Sequence, residues 1–526
     1  MVELIVPRRR STLSRRAVLR RAAGMAAAAM LAPSAARHAL GQARFTSYPF
    51  TLGVASGNPS PDGMVLWTRL APEPFDPRGG IAEDRLEVRW EVARDERFAD
   101  VAKRGSVWTA PELAHSVHVE VTGLEPARWY FYRFTVGPET SPVGRTRTAP
   151  TADAAVERLR FAFASCQHFE QGWFSAYRHM AAEELDLVAF LGDYIYESSW
   201  GSNLVRRHHG GEPYTLDDYR QRYAQYRGDP DLQRMHALAP WIVTWDDHEV
   251  DNDYANAVSE HLEANFLARR AAAYRAYFEH MPLRLAQLPQ GPDMRLYDRF
   301  AFGGLATFHV LDDRQYRTQQ PCPLPGIAGS RVVDGCEARL DPALTLLGAE
   351  QERWLDAGLA ASRARWTVIA QQTLMAPLNR NTGQGEAFWT DGWDGYPLAR
   401  KRFLDSIAQR RPGNPLVIGG DVHSSWVADL KSDFGEERAP AIATEVCGTS
   451  ITSQGPSAAS TAAALTRNPH IRFANSDKRG YVTVELTPAR ARIALRTLED
   501  VKQRDTGIGT LASFVIEDGR AGAQTA

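Results

Sequence analysis

Four segments of the chain place acidic, histidine, cysteine and tyrosine side chains directly after apolar runs of strand length. Such runs are predicted to be buried β-strands, and ligands of an open α/β sheet bind outside the carboxyl ends of its strands. We therefore expect the four segments to meet at one site. The side chains concerned are Cys166, then Asp193 and Tyr196, then Asp247, His248 and Asn252, and finally Asp421 and His423.

Each segment taken alone has a simpler explanation. A cysteine at the end of a strand is usually buried structure, and an aspartate after a glycine is usually a turn residue. The acidic run at residues 246–253 is compatible with a solvated loop, and His423 with a hydrogen-bonded core histidine. All four strand ends, however, carry side chains that can bind a metal ion. Chance is a poor explanation for such side chains at all four positions. The pattern therefore favours a metal site.

The ligand types indicate which ions the site binds. Carboxylates and the Asn252 amide suit hard ions such as Ca²⁺, Mg²⁺ or Mn²⁺, whereas thiolate, phenolate and imidazole suit a transition metal. The phenolate of Tyr196 is a strong anionic donor that suits Fe³⁺. We expect one ferric ion and one or more divalent ions, bridged by Asp193. Such a site lowers the pKa of a bound water to give hydroxide, so attack on a phosphate ester is the predicted chemistry.

The elements that position these residues alternate between strands and helices after residue 156. Strands are predicted at residues 160–166, 185–191, 241–245, 305–311, 366–371 and 416–418, with a β-rich end at 481–497. Helical spacing is found at residues 173–184, 214–226 and 255–279. The first strand, helix and strand form a βαβ unit, whose strands lie parallel. We therefore predict a layered α/β domain over residues 156–515.

A β module is predicted before that domain, at residues 45–150. Residues 86–92 and 117–121 alternate apolar and polar side chains, which is typical of half-buried strands. Residues 124–134 are a turn followed by an aromatic strand, similar to the turn-and-tyrosine signature of an immunoglobulin-like or fibronectin-like β-sandwich. Residues 146–155, rich in Thr, Ala, Pro and Asp, are predicted to be the linker.

Residues 1–43 are predicted to be an export signal rather than part of the fold. They contain eight Arg, no Lys and one acidic residue, and the pair Arg15 and Arg16 precedes a weakly apolar run at 22–32. That run is too short to span a membrane, and residues 41–43 offer a small-x-Ala cleavage site. The order resembles a twin-arginine signal, which engages the twin-arginine export machinery. An ordinary secretory signal with chance arginine pairs is the alternative.

The rest of the chain is acidic and offers no long apolar run. Without residues 1–43 it has 53 Lys and Arg against 62 Asp and Glu, so a nucleic-acid-binding surface is not expected. No later stretch approaches about 18 consecutive apolar residues, so no stable membrane anchor is expected. We expect a periplasmic or secreted protein. Cys322 and Cys336 lie close together in a segment rich in Pro and Gly, and an oxidising compartment would allow them to form a disulfide.

The motifs taken together resemble a known family. Cys166, Gly192-Asp193-x-x-Tyr196, Trp245-Asp246-Asp247-His248-Glu249 and Gly420-Asp421-x-His423 are similar to the alkaline phosphatase D (PhoD-like) family, metallophosphoesterases related to the purple acid phosphatases. Residues 52–69 and 310–317 agree with that resemblance. It spans nearly all of the chain after the export signal. It implies an exported phosphomonoesterase and phosphodiesterase that uses Fe³⁺ and Ca²⁺.

The resemblance also implies roles for individual residues. Cys166 and Tyr196 would ligate iron, Asp193 would bridge the ions, and Asp421 and His423 would complete the metal set. Asp247, at the divalent ion, and His248, near the leaving group as proton donor or phosphate clamp, are the residues expected to be catalytic. Either Asp247 or Asn252 would be the calcium ligand. One or two Ca²⁺ are expected, with Mn²⁺, Mg²⁺ or Zn²⁺ as substitutes.

Two other functions remain compatible with the sequence. A two-metal site can cleave a phosphodiester on either side of phosphorus, so a phospholipase D-like enzyme acting on phospholipids is one of them. The other, from a different class, is a non-catalytic, calcium-stabilised surface-binding protein in which the β module binds the partner. A calcium ion that only stabilises the fold does not require thiolate and phenolate ligands. The presence of both donor types therefore favours an enzyme. Hydrolysis of a simple chromogenic phosphate ester separates these two classes.

Overall fold

Two large sheets lie at the centre of the fold, and helices cover their outer faces. The computed structural model describes residues 45, 47–82, 85–381, 383–436 and 438–526. The predicted export signal, residues 1–43, and its cleavage site lie outside these residues. No helix in the described ranges is long and apolar enough to span a bilayer.

The described residues contain 24 strands and seven α-helices. The strands are β1 Val54–Ser60, β2 Gly63–Arg69, β3 Glu87–Ala93, β4 Val101–Trp108, β5 Ser116–Val121, β6 Trp129–Val136, β7 Glu139–Thr140, β8 Gly144–Arg147, β9 Leu159–Ala164, β10 Leu187–Phe190, β11 Trp241–Val243, β12 Asp298–Phe302, β13 Ala306–Val310, β14 Val332–Val333, β15 Trp366–Ala370, β16 Phe388–Trp389, β17 Pro415–Gly419, β18 Ser425–Lys431, β19 Ala441–Cys447, β20 Ile471–Asn475, β21 Gly480–Leu486, β22 Arg490–Leu498, β23 Ile508–Glu517 and β24 Gln524–Thr525. The helices are α1 Ser175–Met180, α2 Leu216–Arg227, α3 Pro230–Leu238, α4 Phe266–His280, α5 Gly348–Ala361, α6 Pro397–Arg410 and α7 Ala458–Leu465.

Each large sheet contains a block of parallel strands. The ten-stranded sheet has the order β24-β23-β22-β21-β9-β10-β11-β1-β2-β5, in which β9, β10, β11 and β1 are parallel. The seven-stranded sheet has the order β12-β13-β15-β17-β19-β18-β20, in which β13, β15, β17 and β19 are parallel. The carboxyl ends of the parallel strands therefore share one edge within each sheet.

The apolar core lies in three layers, which confirms the predicted layered α/β architecture. Between the sheets, the ring of Phe161 in β9 meets that of Phe308 in β13 with centroids 5.1 Å apart, within a buried cluster to which both sheets contribute. Helices α2, α3 and α4 pack on the outer face of the ten-stranded sheet. Helices α5 and α6 pack on the outer face of the seven-stranded sheet. The order is helix, sheet, sheet, helix.

The strands of the predicted N-terminal β module are divided between two sheets. Strands β3, β4, β6, β7 and β8 form a five-stranded sheet of their own. Strands β1, β2 and β5 instead extend the ten-stranded sheet, where Gly57 pairs in parallel register with Trp241. The pattern of apolar and polar residues predicts where strands lie. It does not specify which sheet a predicted strand joins.

The observed helices differ in extent from those predicted. Helix α1 is shorter than the predicted residues 173–184, and α2 is shifted by one or two residues. The predicted helix at 255–279 is wrong over its first part, because α4 begins at Phe266. Asn256 and Leu262 have φ values of 52° and 56°, which no right-handed helix contains. Residues 255–265 are instead a loop beside the site described below.

Candidate metal centre

The four strand ends predicted from the sequence meet at one edge of the two sheets. The Cys166 amide donates to the carbonyl of Gly192, at 3.1 Å, which joins the ends of β9 and β10. A Cβ atom at Gly192 would lie 2.5 Å from the Cβ of Asp246, and one at Gly420 would lie 2.2 Å from Oγ of Ser165. Glycine is therefore required at both positions for the loops to approach one another.

Four of the predicted ligands have a left-handed backbone. The φ values of Cys166, Asp193, Asp421 and His423 are 59°, 58°, 63° and 51°. This conformation costs roughly 1–2 kcal/mol for a residue that is not glycine, and such conformations cluster at functional sites. Each of the three loops turns sharply where its strand ends, and the surrounding fold holds the side chains in place.

Possible ligand atoms form four overlapping groups among the described residues, each with all its atoms within 4.8 Å of one another. The groups are Cys166, Asp193 and His423; Asp193, Asp247 and His248; Asp246, Asp247 and Asp421; and Asp247, Asp253 and Asp391. Asp193 is shared by the first two groups and Asp247 by the last three. A side with thiol and imidazole donors thus adjoins a side rich in carboxylates, and Asp193 lies between them.

Tyr196 joins the first group through its hydroxyl. The hydroxyl donates to Asp193 Oδ2, at 2.7 Å, and lies 3.1 Å from His423 Nε2 and 2.7 Å from Ser453 Oγ. Burial, reinforced by the negative charge of Asp193, raises the pKa of Tyr196 and that of the Cys166 thiol well above their ordinary values. Both groups therefore need a highly charged cation nearby to lose their protons.

Three buried carboxylate oxygens of these groups lack a hydrogen-bond donor. Oδ1 of Asp193, Oδ2 of Asp246 and Oδ1 of Asp247 have no hydrogen-bond partner among the described residues. Burial also raises the pKa of Asp246 and of Asp421 well above the ordinary value, although the positive charge of Arg314 opposes that rise. Unpaired buried carboxylates are costly unless a cation neutralises them. The residues therefore fit a centre for metal cations.

Arg314 is a buried cation of the site that the sequence analysis did not single out. Its guanidinium pairs with Asp246 and with Asp391, whose Oδ2 lies 2.6 Å from Nη1. Its Nη2 also lies 3.4 Å from Asp247 Oδ1 and 3.8 Å from Asp421 Oδ1. The feature of the sequence that could have identified Arg314 is its position in residues 310–317, directly after strand β13.

His248 is fixed by Glu197, a second residue that the sequence analysis did not identify. Its Nδ1 lies 2.7 Å from Glu197 Oε2, and its ring packs on Tyr196 with centroids 4.2 Å apart. Burial alone would lower the pKa of His248, but the charges of Glu197, Asp193 and Asp247 raise it well above the ordinary value. Glu197 occupies the Nδ1 side of the ring, and Nε2 is left for the cavity that His248 lines.

Glu249 fixes the loops that carry the ligands. Its carboxylate accepts the backbone N–H groups of Asp193, at 3.1 Å, Tyr194, at 2.5 Å, and Asp246, at 2.8 Å. Two strand ends are thus joined through one side chain. Glu249 acts on the backbone that positions Asp193 rather than as a ligand.

Both candidate calcium ligands lie at the cavity beside the centre. Asn252 uses its Nδ2 to donate to Glu260 Oε2, at 3.0 Å, which leaves its amide oxygen for the cavity it lines. Asp247 lines the same cavity. The cavity has a volume of about 630 Å³ and is also lined by His248, Asp421 and His423, so the centre is open to a substrate.

The other three cysteines lie outside the ligand groups. Cys322 and Cys336 form a disulfide with their Cα atoms 6.3 Å apart. Cys447 is buried, and its thiol donates to the carbonyl of Gly420, at 3.1 Å, beneath the loop that carries Asp421.

Comparisons with known proteins identify the family of the chain. The family model described as PhoD-like phosphatase matches residues 161–495, and the model described as PhoD-like phosphatase, N-terminal domain, matches residues 34–150. The fold and the cluster of metal-ligand side chains define the class, a metal-dependent phosphoric ester hydrolase. The chain belongs to the PhoD-like phosphatase family. The resemblance found in the sequence is thereby confirmed.

Two relatives show how much of the chain this similarity covers. The chain is 49% identical over 491 residues to alkaline phosphatase D of Bacillus subtilis (strain 168), which covers 91% of this chain and 82% of that protein. The solved structure of PhoD is 47% identical and superposes with a TM-score of 0.88, covering 92% of this chain and 93% of the other.

Proposed function

We propose that the protein is an exported phosphomonoesterase and phosphodiesterase whose centre holds one Fe³⁺ and one or two Ca²⁺. The observation that carries this proposal is the position of Asp193, which is shared by two groups of different donor chemistry. Thiolate, phenolate and imidazole suit a transition metal, and carboxylate and amide oxygens suit calcium. A bridging carboxylate between the two groups fits a mixed centre.

The following assignment of ligands is part of the proposal. Cys166, Tyr196 and His423 would hold the ferric ion, Asp247, Asn252 and Asp421 the calcium, and Asp193 both. The Tyr196 hydroxyl and the Cys166 thiol would lose their protons on binding, because both bind as anions. When bound, the ions supply activation of water and neutralisation of charge on the phosphoryl group.

His248 has the properties of the proton donor to the leaving group. The Glu197 carboxylate accepts a hydrogen bond from Nδ1, so the imidazole presents Nε2 to an ester bound in the cavity and would carry a proton there. Transfer of that proton to the leaving oxygen would contribute about 10²–10⁴-fold to the rate. Glu197 orients the ring and stabilises its positive charge, and it does not contact the ester itself.

Hydrolysis of two chromogenic esters tests the proposed activity. The mature chain, purified without chelators, is expected to hydrolyse p-nitrophenyl phosphate and bis-p-nitrophenyl phosphate. Chelation is expected to abolish both activities, and added Ca²⁺ to restore them when iron is retained. Absence of both activities in the metal-loaded protein would contradict the proposal. Strong preference for phospholipid vesicles over both esters would favour the phospholipase D-like alternative.

We further propose the domain limits drawn from the sequence, namely 1–43 for a twin-arginine signal, 45–150 for the β module and 156–515 for the catalytic domain. The two family matches, at 34–150 and 161–495, support the last two limits. Replacement of Arg15 and Arg16 by lysine is expected to retain the precursor in the cytoplasm. The same replacement of Arg20 and Arg21 is the matched control. Normal export of the first variant would contradict a twin-arginine signal and a periplasmic or secreted location reached through it.

A further inference from the structure

The cavity at the metal centre has an acidic lining with a single strongly basic side chain. Its volume of about 630 Å³ is in the range of sites for molecules much larger than a phosphate ion. Its lining carboxylates are Glu197, Glu212, Asp247, Asp251, Asp253, Glu260 and Asp421. Arg380 is the one lysine or arginine among the described residues that line it. An anionic substrate therefore meets one guanidinium there besides the metal centre.

Arg380 is half-buried and, unlike Arg314 and Arg317, has no carboxylate within ion-pair distance among the described residues. Arg314 and Arg317 are both neutralised by Asp391. Nε of Arg380 is buried and has no hydrogen-bond partner among the described residues. Its guanidinium carbon lies 5.6 Å from the centroid of the Trp389 ring. A guanidinium that lines the cavity without a carboxylate partner is available to pair with an anionic ligand there.

The wall that carries Arg380 is held in place by several contacts. The backbone N–H of Arg380 donates to the carbonyl of Ala387, at 2.8 Å. Trp389, in β16, pairs with Val332 of β14, and its indole N–H donates to Ser330 Oγ, at 2.8 Å. The disulfide lies beside this pair, since Arg331 Nε donates to the Cys322 carbonyl at 2.9 Å. Arg380 is thus presented by a braced segment.

We propose that Arg380 is a substrate-binding residue that pairs with phosphoryl oxygens of the ester in the cavity. A planar guanidinium matches two phosphoryl oxygens at once, which an ammonium does not. The inference rests on the proposed function and names the side chain that recognises the anion of the substrate. The oxygens belong either to the reacting phosphoryl group or to a second phosphoryl group of a larger ester, and these two sources have different kinetic consequences.

The test compares two variants of Arg380 with a matched control. Arg380→Gln removes the charge, and Arg380→Lys keeps the charge but not the paired donors. Arg339→Gln is the control, because Arg339 stacks on Phe388, the neighbour of Trp389 in β16, at 4.0 Å, and does not line the cavity. Metal content and melting temperature are measured for each variant, and binding of inorganic phosphate is measured by calorimetry.

Kinetics on a nucleoside 5′-monophosphate and the matching 3′,5′-bisphosphate distinguish the two sources. If Arg380 binds the reacting group, Arg380→Gln raises KM for both esters and Kd for inorganic phosphate by about tenfold or more, and Arg380→Lys raises them less. If Arg380 binds a second group, only KM for the bisphosphate rises, and by a similar factor. In both cases metal content and the control variant match the wild type.

Three results would overturn the inference. They are values of KM and Kd within twofold of the wild type for every ligand, loss of metal in Arg380→Gln, and an equal effect in Arg339→Gln. If the wild type hydrolyses neither ester, calorimetry with inorganic phosphate and with the bisphosphate still decides the role of Arg380. Failure of the proposed activity and failure of this inference are therefore separate results.

Discussion

At the scale of single residues, the pairing of His248 with Glu197 leads to a specific prediction about kcat. His248→Gln removes the proton donor, so kcat is expected to fall about 10²-fold or more while the metal content is unchanged. The loss should be smaller for an ester of p-nitrophenol than for an alkyl ester, because a good leaving group needs less protonation. Loss of iron or calcium in this variant would show that His248 is a ligand instead.

The bridging position proposed for Asp193 leads to a prediction about metal content. Asp193→Asn removes the charge shared by the two ligand groups, so both iron and calcium are expected to be lost together with activity. Asp251→Asn is the control, because Asp251 lines the same cavity but pairs with Arg269 at 3.0 Å. Full metal content in Asp193→Asn would refute the bridging role.

The sequence identifies the candidate ligands better than the residues that surround and support them. Cys166, Asp193 and Asp421 are found from their position after apolar strands, and that signal is local. Arg314 and Glu249 are not, because the first pairs with Asp246, 68 residues away, and the second holds the Asp193 amide, 56 residues away. A buried ion pair of this kind has no pattern in the sequence near either partner.

At the scale of secondary-structure elements, Glu249 holds the end of β10 against the loop that follows β11. Glu249→Ala would leave three buried N–H groups without an acceptor, at about 1–3 kcal/mol each. We expect the free energy of unfolding in urea to fall by roughly 3 kcal/mol or more, and by less in Glu249→Gln, whose amide oxygen still accepts. A loss below about 1 kcal/mol for Glu249→Ala would contradict this role.

The disulfide closes the segment that contains β14. Cys322 and Cys336 are 14 residues apart, and closing a loop of that size in the unfolded chain is worth about 3 kcal/mol. The double replacement by serine is expected to lower stability by up to that amount, and reduction of the wild type to do the same. Added reductant should not change the double variant further. Equal stability of oxidised and reduced wild type would contradict a structural role.

The elements themselves are predicted unevenly. The central strands β9, β10, β15 and β17 are continuous apolar runs because both faces are buried, and such runs are visible in the sequence. The error at residues 255–265 arises because apolar spacing alone does not reveal left-handed residues, such as Asn256 and Leu262, that precede the start of the helix. The joining of β1 to β11 is a long-range pairing, and strand patterns do not specify their partners.

At the scale of the whole molecule, the buried carboxylates couple folding to the ions. Asp246 and Asp421 have raised pKa values through burial, and a cation that neutralises them binds only the folded chain. At an ion concentration 100 times Kd, this linkage is worth about 2.7 kcal/mol. Chelation is therefore expected to lower the melting temperature, and added ions to restore it. Identical melting temperatures with and without chelator would contradict the coupling.

Elemental analysis of the mature protein, purified without chelators, tests the metal centre most directly, with Tyr196→Phe measured in parallel. We predict one iron per chain with one or two calcium ions in the wild type, and a clear loss of iron in Tyr196→Phe. Two zinc or manganese ions without iron would contradict the ferric role of Tyr196 and Cys166. Absence of any stoichiometric metal from the active wild type would contradict the metal centre itself.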